Sequence, residues 1–308
     1  MLDRSDPRAA MASYGSAEGR PGATEFAPPE YVAFHDTEPQ ETAPGARTWY
    51  ARAQNFIVAY SEVSPGAELS RRGQLDEYAL LLRDPATSVE VTTADGTSQV
   101  DGYTVSFVPP GDSTIRVTGE GRLVRLFTVR SEDLAARCSN AASYATPHPN
   151  VALLEPWPEP PDGFHLRTYS LDVPRDPGRF GKIFRCTSIM VNYLDPSSGP
   201  RDTTKLSPHS HDDFEQVSLV LEGEYVHHIR FPWTSDLSKW IEDDHHRIGA
   251  PSITVIPPPS IHTSQAIAPD GNQLIDLFSP PRMDFSEKEG WVLNAADYPM
   301  PSQAGARR

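Results

Sequence analysis

Cysteine is nearly absent from this sequence, which contains only Cys138 and Cys186 among its 308 residues. Two cysteines are too few for a disulfide framework or a thiolate metal site, although a single bridge between them stays open at this stage. The scarcity of cysteine fits a reducing compartment. We therefore predict a cytoplasmic protein.

Basic clusters and long apolar runs are also lacking. The chain has 27 Lys and Arg against 42 Asp and Glu, and its formal net charge is -15. A nucleic acid or an anionic membrane surface would need a basic stripe, which is missing here. No segment approaches the ~20 apolar residues that span a bilayer, and residues 1–27 lack the apolar core of a secretion signal. A small molecule is the expected partner.

Helical periodicity is scarce, and short strand-like runs take its place. The chain contains 31 prolines and 20 glycines, which divide it into short runs rich in Val, Ile, Tyr, Phe and Thr. Runs such as NFIVAYSEV, YTVSFV and QVSLVLEGEYVHHIRF are typical of β-strands. Helices are expected only at SEDLAARCSNA and SDLSKWIEDD. The sequence therefore predicts an all-β protein.

The strand-like runs form two similar sets on either side of the proline-rich stretch ATPHPNVALLEPWPEPPDG. GYTVSFVPPGDST matches APSITVIPPPSIH in its order of strand, double proline and turn, which indicates a duplicated small barrel. We predict a disordered or extended lead-in over residues 1–40, a first barrel over 41–135, a connector over 136–163, a second barrel over 164–298 and a mobile tail over 299–308.

The second set carries a histidine pattern that is typical of metal binding. His209 and His211 stand two positions apart just before a strand-like run, so both side chains point to the same side. His262 follows the second double-proline turn. Imidazole nitrogens from neighbouring strands of a barrel can converge on one borderline-soft cation.

These segments resemble the two motifs of the cupin superfamily, which read roughly G-x5-H-x-H-x3/4-E-x6-G and G-x5-P-x-G-x2-H-x3-N. The first is SPHSHDDFEQVSLVLEG and the second is GAPSITVIPPPSIHTSQAI. The resemblance covers about residues 185–280 and, more weakly, 50–130, and it implies a bicupin with two jelly-roll barrels. It also implies one divalent transition metal (Zn, Fe, Mn or Ni) in the second barrel.

The chain departs from the cupin pattern at the position usually held by glutamate. Six residues separate Gly223 from Gln216, which therefore stands at the glutamate position of the motif, and Glu215 precedes it. Strand alternation lets only one of the two face the interior. We favour Gln216, so the predicted ligands are His209, His211, Gln216 and His262.

The first barrel shows no such histidines in the same frame. Ser70, Arg72, Glu77 and Thr114 stand at the corresponding positions. One carboxylate without an imidazole holds a transition metal poorly. This barrel is therefore expected to lack metal and to serve packing or dimerisation, so a homodimer is one expectation.

The donor set bears on the reaction. Three histidines and a glutamine are neutral and leave a divalent ion a strong Lewis acid, which favours isomerase, lyase or cyclase chemistry. With Glu215 as the ligand, the set resembles that of cupin dioxygenases, which use iron, nickel or manganese with oxygen. A non-catalytic small-molecule or sugar-binding cupin is a third alternative.

Other polar residues near the motifs are candidates for proton transfer or substrate binding. The catalytic candidates are Glu215, His228 and Lys205, and alternation lets only one of His227 and His228 face the cavity. The candidates for substrate binding are Arg185, Asn192 and Tyr193. The insertion from about 232 to 247, which contains Asp243, Asp244, His245 and His246, is predicted to be a solvated loop or short helix that serves as a lid or interface.

Overall fold

The structure is a computed structural model that describes residues 25–301. Most of residues 1–40 and of 299–308, the predicted lead-in and tail, lie outside the described residues. The described part is almost entirely β, as predicted. Its helical segments are α1 (Glu132–Ala135), α2 (Met283–Ser286) and four 3-10 turns at Phe34–Asp36, Ala141–Tyr144, Thr203–Lys205 and Leu237–Lys239.

The first half of the described chain contains twelve strands. They are β1 (Glu30–Ala33), β2 (Glu41–Ala43), β3 (Ala46–Arg52), β4 (Phe56–Val63), β5 (Glu68–Gln74), β6 (Tyr78–Leu82), β7 (Val89–Thr93), β8 (Gly96–Val100), β9 (Thr104–Val108), β10 (Gly111–Val117), β11 (Gly121–Thr128) and β12 (Arg167–Ser170). The first barrel is built from a sheet of order β12-β9-β6-β11-β4-β3-β2 and a smaller sheet of order β5-β10-β7-β8. All pairs are antiparallel, as in a jelly roll.

The second half contains eight strands. They are β13 (Lys182–Arg185), β14 (Met190–Tyr193), β15 (Gln216–Glu222), β16 (Glu224–Arg230), β17 (Asp244–Gly249), β18 (Ser252–Ile256), β19 (Ile261–Ala266) and β20 (Gln273–Phe278). The second barrel pairs a large sheet of order β1-β18-β15-β20-β14-β13 with a small sheet of order β17-β16-β19. The described residues therefore form two similar barrels in sequence.

The two barrels exchange strands. Strand β1, before the first barrel, pairs with β18 of the second barrel, so that Tyr31 lies opposite Thr254. Strand β12, after the connector, pairs with β9 of the first barrel, so that Thr168 lies opposite Ser106. Each barrel therefore includes one strand from the other side of the chain: β1, from before the first barrel, belongs to the second, and β12, from after the connector, belongs to the first.

The large sheets of the two barrels pack face to face. Strand alternation sends Val217, Leu219 and Leu221 of β15 into this interface, while Gln216 and Ser218 point into the second barrel. Side chains of both large sheets form one apolar cluster, the inter-barrel core. It includes Trp49, Val58, Tyr60, Ala79, Leu81, Val105, Phe107, Val191, Tyr193, Val217, Leu219, Val255 and Leu277.

Each barrel also directs one buried glutamate away from its own interior. Glu77 of the first barrel accepts a hydrogen bond of 2.7 Å from the Tyr298 hydroxyl. Glu215 of the second barrel accepts one of 2.6 Å from the backbone N–H of Gln54 and contacts His148 Nδ1 at 2.5 Å. These two carboxylates tie the barrels and the connector together.

The internal repeat is displaced by one residue from the predicted frame. Tyr78 pairs with Val108 and Gln216 pairs with Ile256, and both partners directly precede a double proline. Tyr78 is therefore the structural counterpart of Gln216. A shift of one residue moves a side chain to the other face of a sheet, so Glu77 faces the other barrel.

The remaining counterparts predicted in the first barrel face solvent. The hydroxyls of Ser70 and Thr114 bond to each other at 3.1 Å on the exposed face, and Arg72 forms an exposed ion pair with Asp112. In the interior, the hydroxyl groups of Tyr78 and Ser113 lie 3.0 Å apart. Tyr78 thus occupies the space where the second barrel presents Gln216.

The predicted loop or short helix at Asp243–His246 is wrong, because Asp244–Gly249 forms strand β17 against β16. Its Arg247 forms a 2.6 Å ion pair with Glu224 across the two strands, which favours the pairing. The rings of Trp233 and Trp240 stack at 4.6 Å beside this strand, and Trp233 is largely exposed. No helix in residues 25–301 is long and apolar enough to cross a membrane.

Candidate metal centre

Three histidines meet inside the second barrel. His209 forms an isolated antiparallel bridge with His262 of β19, through backbone hydrogen bonds of 3.1 and 2.8 Å. The imidazole of His262 lies 4.4 Å from that of His209 and 4.9 Å from that of His211, measured between ring centroids. The structure therefore brings the three predicted histidines together, although His211 and His262 are 51 positions apart.

Backbone carbonyls fix the orientation of two of the rings. Nδ1 of His209 donates to the Ser207 carbonyl at 3.0 Å, and Nδ1 of His262 donates to the Ser260 carbonyl at 3.1 Å. A neutral imidazole carries one proton, so Nε2 is left as a lone pair in each ring. This tautomer is the one that binds metals through Nε2.

The side chain of Gln216 presents its oxygen to His262. Its Nε2 donates to Asp276 Oδ1 at 3.0 Å and to Ser218 Oγ at 3.2 Å, which fixes the orientation of the amide. Its Oε1 then lies 3.4 Å from Nε2 of His262. Two acceptor atoms therefore face each other without a proton between them, and a cation could bind to both.

Within residues 25–301, neither nitrogen of the buried His211 ring makes a hydrogen bond of normal geometry. The ring stacks on Phe214, with ring centroids 4.1 Å apart, and faces His262 edge to face. Burial, followed by the nearby His262, lowers the pKa of His211 well below its usual range, and burial does the same for His262. Neutral imidazoles with free lone pairs are the form that metals bind.

The donor atoms do not form a finished coordination sphere. Among residues 25–301, no group of three or more His, Cys, Asp or Glu side chains is placed so that it could hold a metal ion as it stands. The fourth predicted donor is the amide oxygen of Gln216, which is none of these side-chain types. The buried nitrogens of His211 are nevertheless costly to leave without a partner, which favours a bound cation at this point.

A cavity of about 390 Å³ leads to these residues. His209, Gln216, His262 and Asp276 lie along it, together with Tyr225. Arg201 also lines the cavity and donates to the Ser264 carbonyl at 3.0 Å. The cavity is large enough for a small organic molecule.

Two of the predicted catalytic residues lie away from the cavity. The Glu215 carboxylate points toward Gln54 and His148. It faces away from the barrel interior because successive side chains of a strand alternate and Gln216 points inward. Lys205 is largely exposed, and its amino group lies 3.8 Å from Asp202. Neither side chain lines the cavity that contains the histidines.

The third catalytic candidate, His228, also faces away from the barrel interior. Strand β16 buries Tyr225, His227 and Ile229, so the alternation selects His227 as the inward residue. Nδ1 of His227 lies 2.9 Å from Ser264 Oγ, and its buried Nε2 has no hydrogen-bond partner in the part of the chain that the structure describes. Burial lowers the pKa of His227 to about 3.

The three predicted substrate-binding residues occupy different places, and none lines the cavity. Asn192 points into the second barrel and lies opposite Asp276 on β20. Tyr193 belongs to the inter-barrel core, because it is the next residue on the strand. Arg185 is buried with its guanidinium 4.8 Å from the Trp157 ring, and burial lowers its pKa to about 10.

One cavity residue was missed from the sequence. Asp276 is buried in the middle of β20, accepts hydrogen bonds from Gln216 and Ser218, and lines the cavity. The signal was present in the sequence, because a carboxylate in the centre of the apolar run QLIDLF needs a polar partner.

Comparisons with known proteins place the fold. No family model and no curated protein sequence matches the chain. A Bacillus subtilis oxalate decarboxylase variant matches with a TM-score of 0.56 and 15% identity, over 84% of this chain and 80% of that one. A Lactobacillus farciminis oxalate decarboxylase matches with a TM-score of 0.52 and 13% identity, over 84% and 89% of the two chains.

A third solved structure differs in name but not in architecture. AerE from Microcystis aeruginosa matches with a TM-score of 0.51 and 11% identity, over 84% of this chain and all 100% of that one. Identities at this level carry the fold and not the activity. The chain therefore has the two-barrel fold of the bicupins.

Proposed function

We propose that this protein is a metal-dependent bicupin enzyme whose second barrel binds one divalent transition metal through His209, His211, Gln216 and His262. The observation that carries the proposal is the 3.4 Å contact between Nε2 of His262 and Oε1 of Gln216. Two ligands of one tetrahedral ion lie about 3.4 Å apart when each is ~2.1 Å from the metal. The separation therefore fits two donors to a shared ion.

The neutral donor set supports Lewis-acid chemistry. Without a carboxylate ligand, the bound metal would keep its full charge and would polarise an oxygen of the substrate. Asp276 lies behind Gln216, where it holds the amide through the 3.0 Å hydrogen bond and keeps the amide oxygen directed at His262. The carboxylate usually found among cupin ligands is replaced here by an amide, with a carboxylate one hydrogen bond away.

The cavity defines the size of the substrate, which would be a small oxygen-bearing organic molecule. Asp276 and Tyr225 line the cavity and could exchange a proton with a substrate bound beside the histidines. We favour an isomerase, lyase or cyclase outcome. The lyase outcome is supported by the similarity to proteins named oxalate decarboxylase, though this support is at the level of fold.

A dioxygenase is the second candidate, because the histidines could also hold a redox-active ion. A dioxygenase-like ligand set would need the carboxylate of Glu215. This carboxylate instead contacts His148 and accepts a hydrogen bond from the backbone of Gln54, which speaks against this candidate. A non-catalytic binding protein is the third candidate. Its metal would be structural or absent.

The test begins with elemental analysis of the purified protein and of the variants His209→Ala and His262→Ala. We expect both substitutions to lower the metal content strongly and His165→Ala, which removes a partly exposed histidine, to leave it unchanged. Full metal in both of the first two variants would refute the site.

Activity assays then separate the three functions. Small carboxylic acids, enediols and diketones are incubated with the metal-loaded protein in the presence and absence of oxygen. Turnover that persists without oxygen supports the Lewis-acid enzyme, and oxygen-dependent turnover supports the dioxygenase. Ligand binding that survives metal removal, without turnover in either condition, supports the binding protein.

A further inference from the structure

The outer face of the small sheet brings together two histidines that are separate from the barrel site. His228 of β16 and His245 of β17 lie directly opposite each other across the two strands. Their Nδ1 atoms are 2.8 Å apart, and their rings meet edge to face with centroids 4.9 Å apart. His245 is exposed and His228 is half-buried, so solvent reaches the pair.

The proton positions leave a lone pair between the rings. Nε2 of His228 lies 3.0 Å from the side-chain oxygen of Gln265 and donates to it. Nδ1 of a neutral His228 is then unprotonated and faces His245. A proton on Nδ1 of His245 bridges the two nitrogens, and in the other neutral tautomer, with the proton on Nε2, two lone pairs are directed at the same space.

We propose that His228 and His245 form a second metal site, the two-histidine site, which binds a divalent cation of the nickel or copper class. Two imidazole nitrogens at about 2.0 to 2.1 Å from one ion lie about 2.9 Å apart when the ion holds them at a right angle. The observed 2.8 Å is close to this separation. Binding through Nδ1 of His245 uses the tautomer whose proton lies on Nε2, so that proton moves from Nδ1 to the solvent-facing Nε2 and the ring stays neutral.

The surroundings suit a cation that also keeps water ligands. A cavity of about 150 Å³ opens at the pair and is lined by His228, His245, Asp243 and Ile261, and on its other side by His262 of the barrel site. The Asp243 carboxylate forms an ion pair with Arg230 at the same cavity. Gln265 accepts from His228 on the far side of the ring, which is the arrangement that orients metal-binding histidines.

A metal ion at this site would stabilise the pairing of an edge strand of the second barrel. Strand β17 is the edge of the small sheet, and it follows the insertion that contains Trp233 and Trp240. A metal ion between His228 and His245 ties this strand to β16. This inference does not depend on the function proposed for the barrel interior.

The test is a nickel titration of the full chain after treatment with EDTA, in a His209→Ala/His211→Ala background that removes two barrel donors and leaves the lining of this cavity intact. We expect one Ni²⁺ per chain, with affinity lowered at least ~10-fold by His228→Ala and by His245→Ala. The partly exposed His165 provides the matched control, and His165→Ala should leave the affinity unchanged. Affinities within twofold of the background protein in both test variants would overturn the proposal, as would the absence of nickel binding.

Two further variants address the outer hydrogen bond. Gln265→Ala should weaken nickel binding about 10-fold, and Gln265→Glu should strengthen it, because a carboxylate is the better acceptor for a metal-bound imidazole. If the background protein does not fold, the wild-type chain is titrated, and His245→Ala should remove one of its nickel equivalents. An unchanged stoichiometry in that variant would contradict the site.

Discussion

At the scale of single residues, the proposed metal site in the second barrel depends on the orientation of the Gln216 side chain. Its amide points inward and is fixed by Asp276 and Ser218, while the adjacent Glu215 points toward the first barrel. The spacing to Gly223 predicted this choice from the sequence, because strand length fixes which residue faces in. The role of Asp276 was not predicted, since its partner Gln216 lies 60 positions away.

The hydrogen bond between Asp276 and Gln216 should support metal binding. Asp276→Ala leaves the amide of Gln216 free to turn, so we expect metal affinity to fall by about 10- to 100-fold, as for other residues that orient metal ligands. Asp276→Asn should lose less, because its own amide oxygen can still accept. Calorimetric titration of the EDTA-treated protein measures both, and equal affinities in wild type and Asp276→Ala would contradict this role.

Substitution of Glu215 should affect stability and not metal content. Glu215→Gln weakens the buried contacts with His148 and Gln54, and poorly satisfied buried groups of this kind cost about 1–3 kcal/mol in unfolding free energy. Urea unfolding and elemental analysis of the same sample measure the two effects. Loss of metal at unchanged stability would identify Glu215 as the ligand instead of Gln216.

At the scale of secondary structure, the exchanged strand β1 is the feature that joins the chain's beginning to its second barrel. Phe34 directly follows β1, is 1% exposed and stacks on Tyr60 of the first barrel, with ring centroids 5.2 Å apart. The same short segment therefore contacts both barrels. The sequence did not reveal this, because the strand partners of EYVA lie more than 200 positions away and four residues carry little pattern.

Truncation of Phe34 should test this exchange. We expect Phe34→Ala to lower the free energy of unfolding by about 3–5 kcal/mol, which is the range for a buried phenylalanine. The neighbouring His35, exposed and bound to Glu62, gives the control His35→Ala, which should cost far less. Chemical unfolding measures both, and similar values for the two variants would show that the segment is not packed as described.

Register was the least predictable property of the elements. The strands, the double prolines and the duplication were evident in the sequence, yet the first-barrel counterparts were displaced by one residue. Such a displacement exchanges Tyr78, which points inward, for Glu77, which points outward. The hydrophobic run YALLL does not fix the register, because both of its faces are buried.

At the scale of the whole molecule, two barrels share one apolar interface, and among residues 25–301 converging histidines are found only in the second. The fold class followed from composition and motifs, because short strands and proline turns leave few other architectures. The packing of the two large sheets did not follow, since nothing in a single strand shows which of its two buried faces meets another barrel.

Buried neutral histidines should make the metal-free protein sensitive to acid. The pKa of His227 is about 3 in the folded protein, below the usual value of about 6.5 expected after unfolding. The unfolded chain therefore binds more protons between these values, and stability falls as the pH falls from about 6.5 toward 3. Each such histidine contributes up to about 1.4 kcal/mol per pH unit.

Replacement of His227 isolates its part of this slope. In EDTA-treated protein, His227→Asn should reduce the fall in unfolding free energy between about pH 6 and pH 4.5 by one histidine's contribution. Urea unfolding at several pH values measures the slope. The same slope in both proteins would mean that His227 is not buried in its neutral form.

The most direct test of the account is the metal content of the second barrel, measured in a His245→Ala protein from which the outer site has been removed. After dialysis, we predict about one divalent transition metal ion per chain, as expected for a barrel with four donors. Addition of His262→Ala to the same protein should abolish this retention. A protein that retains its metal without His262, or that binds none with all four donors intact, would contradict the central claim.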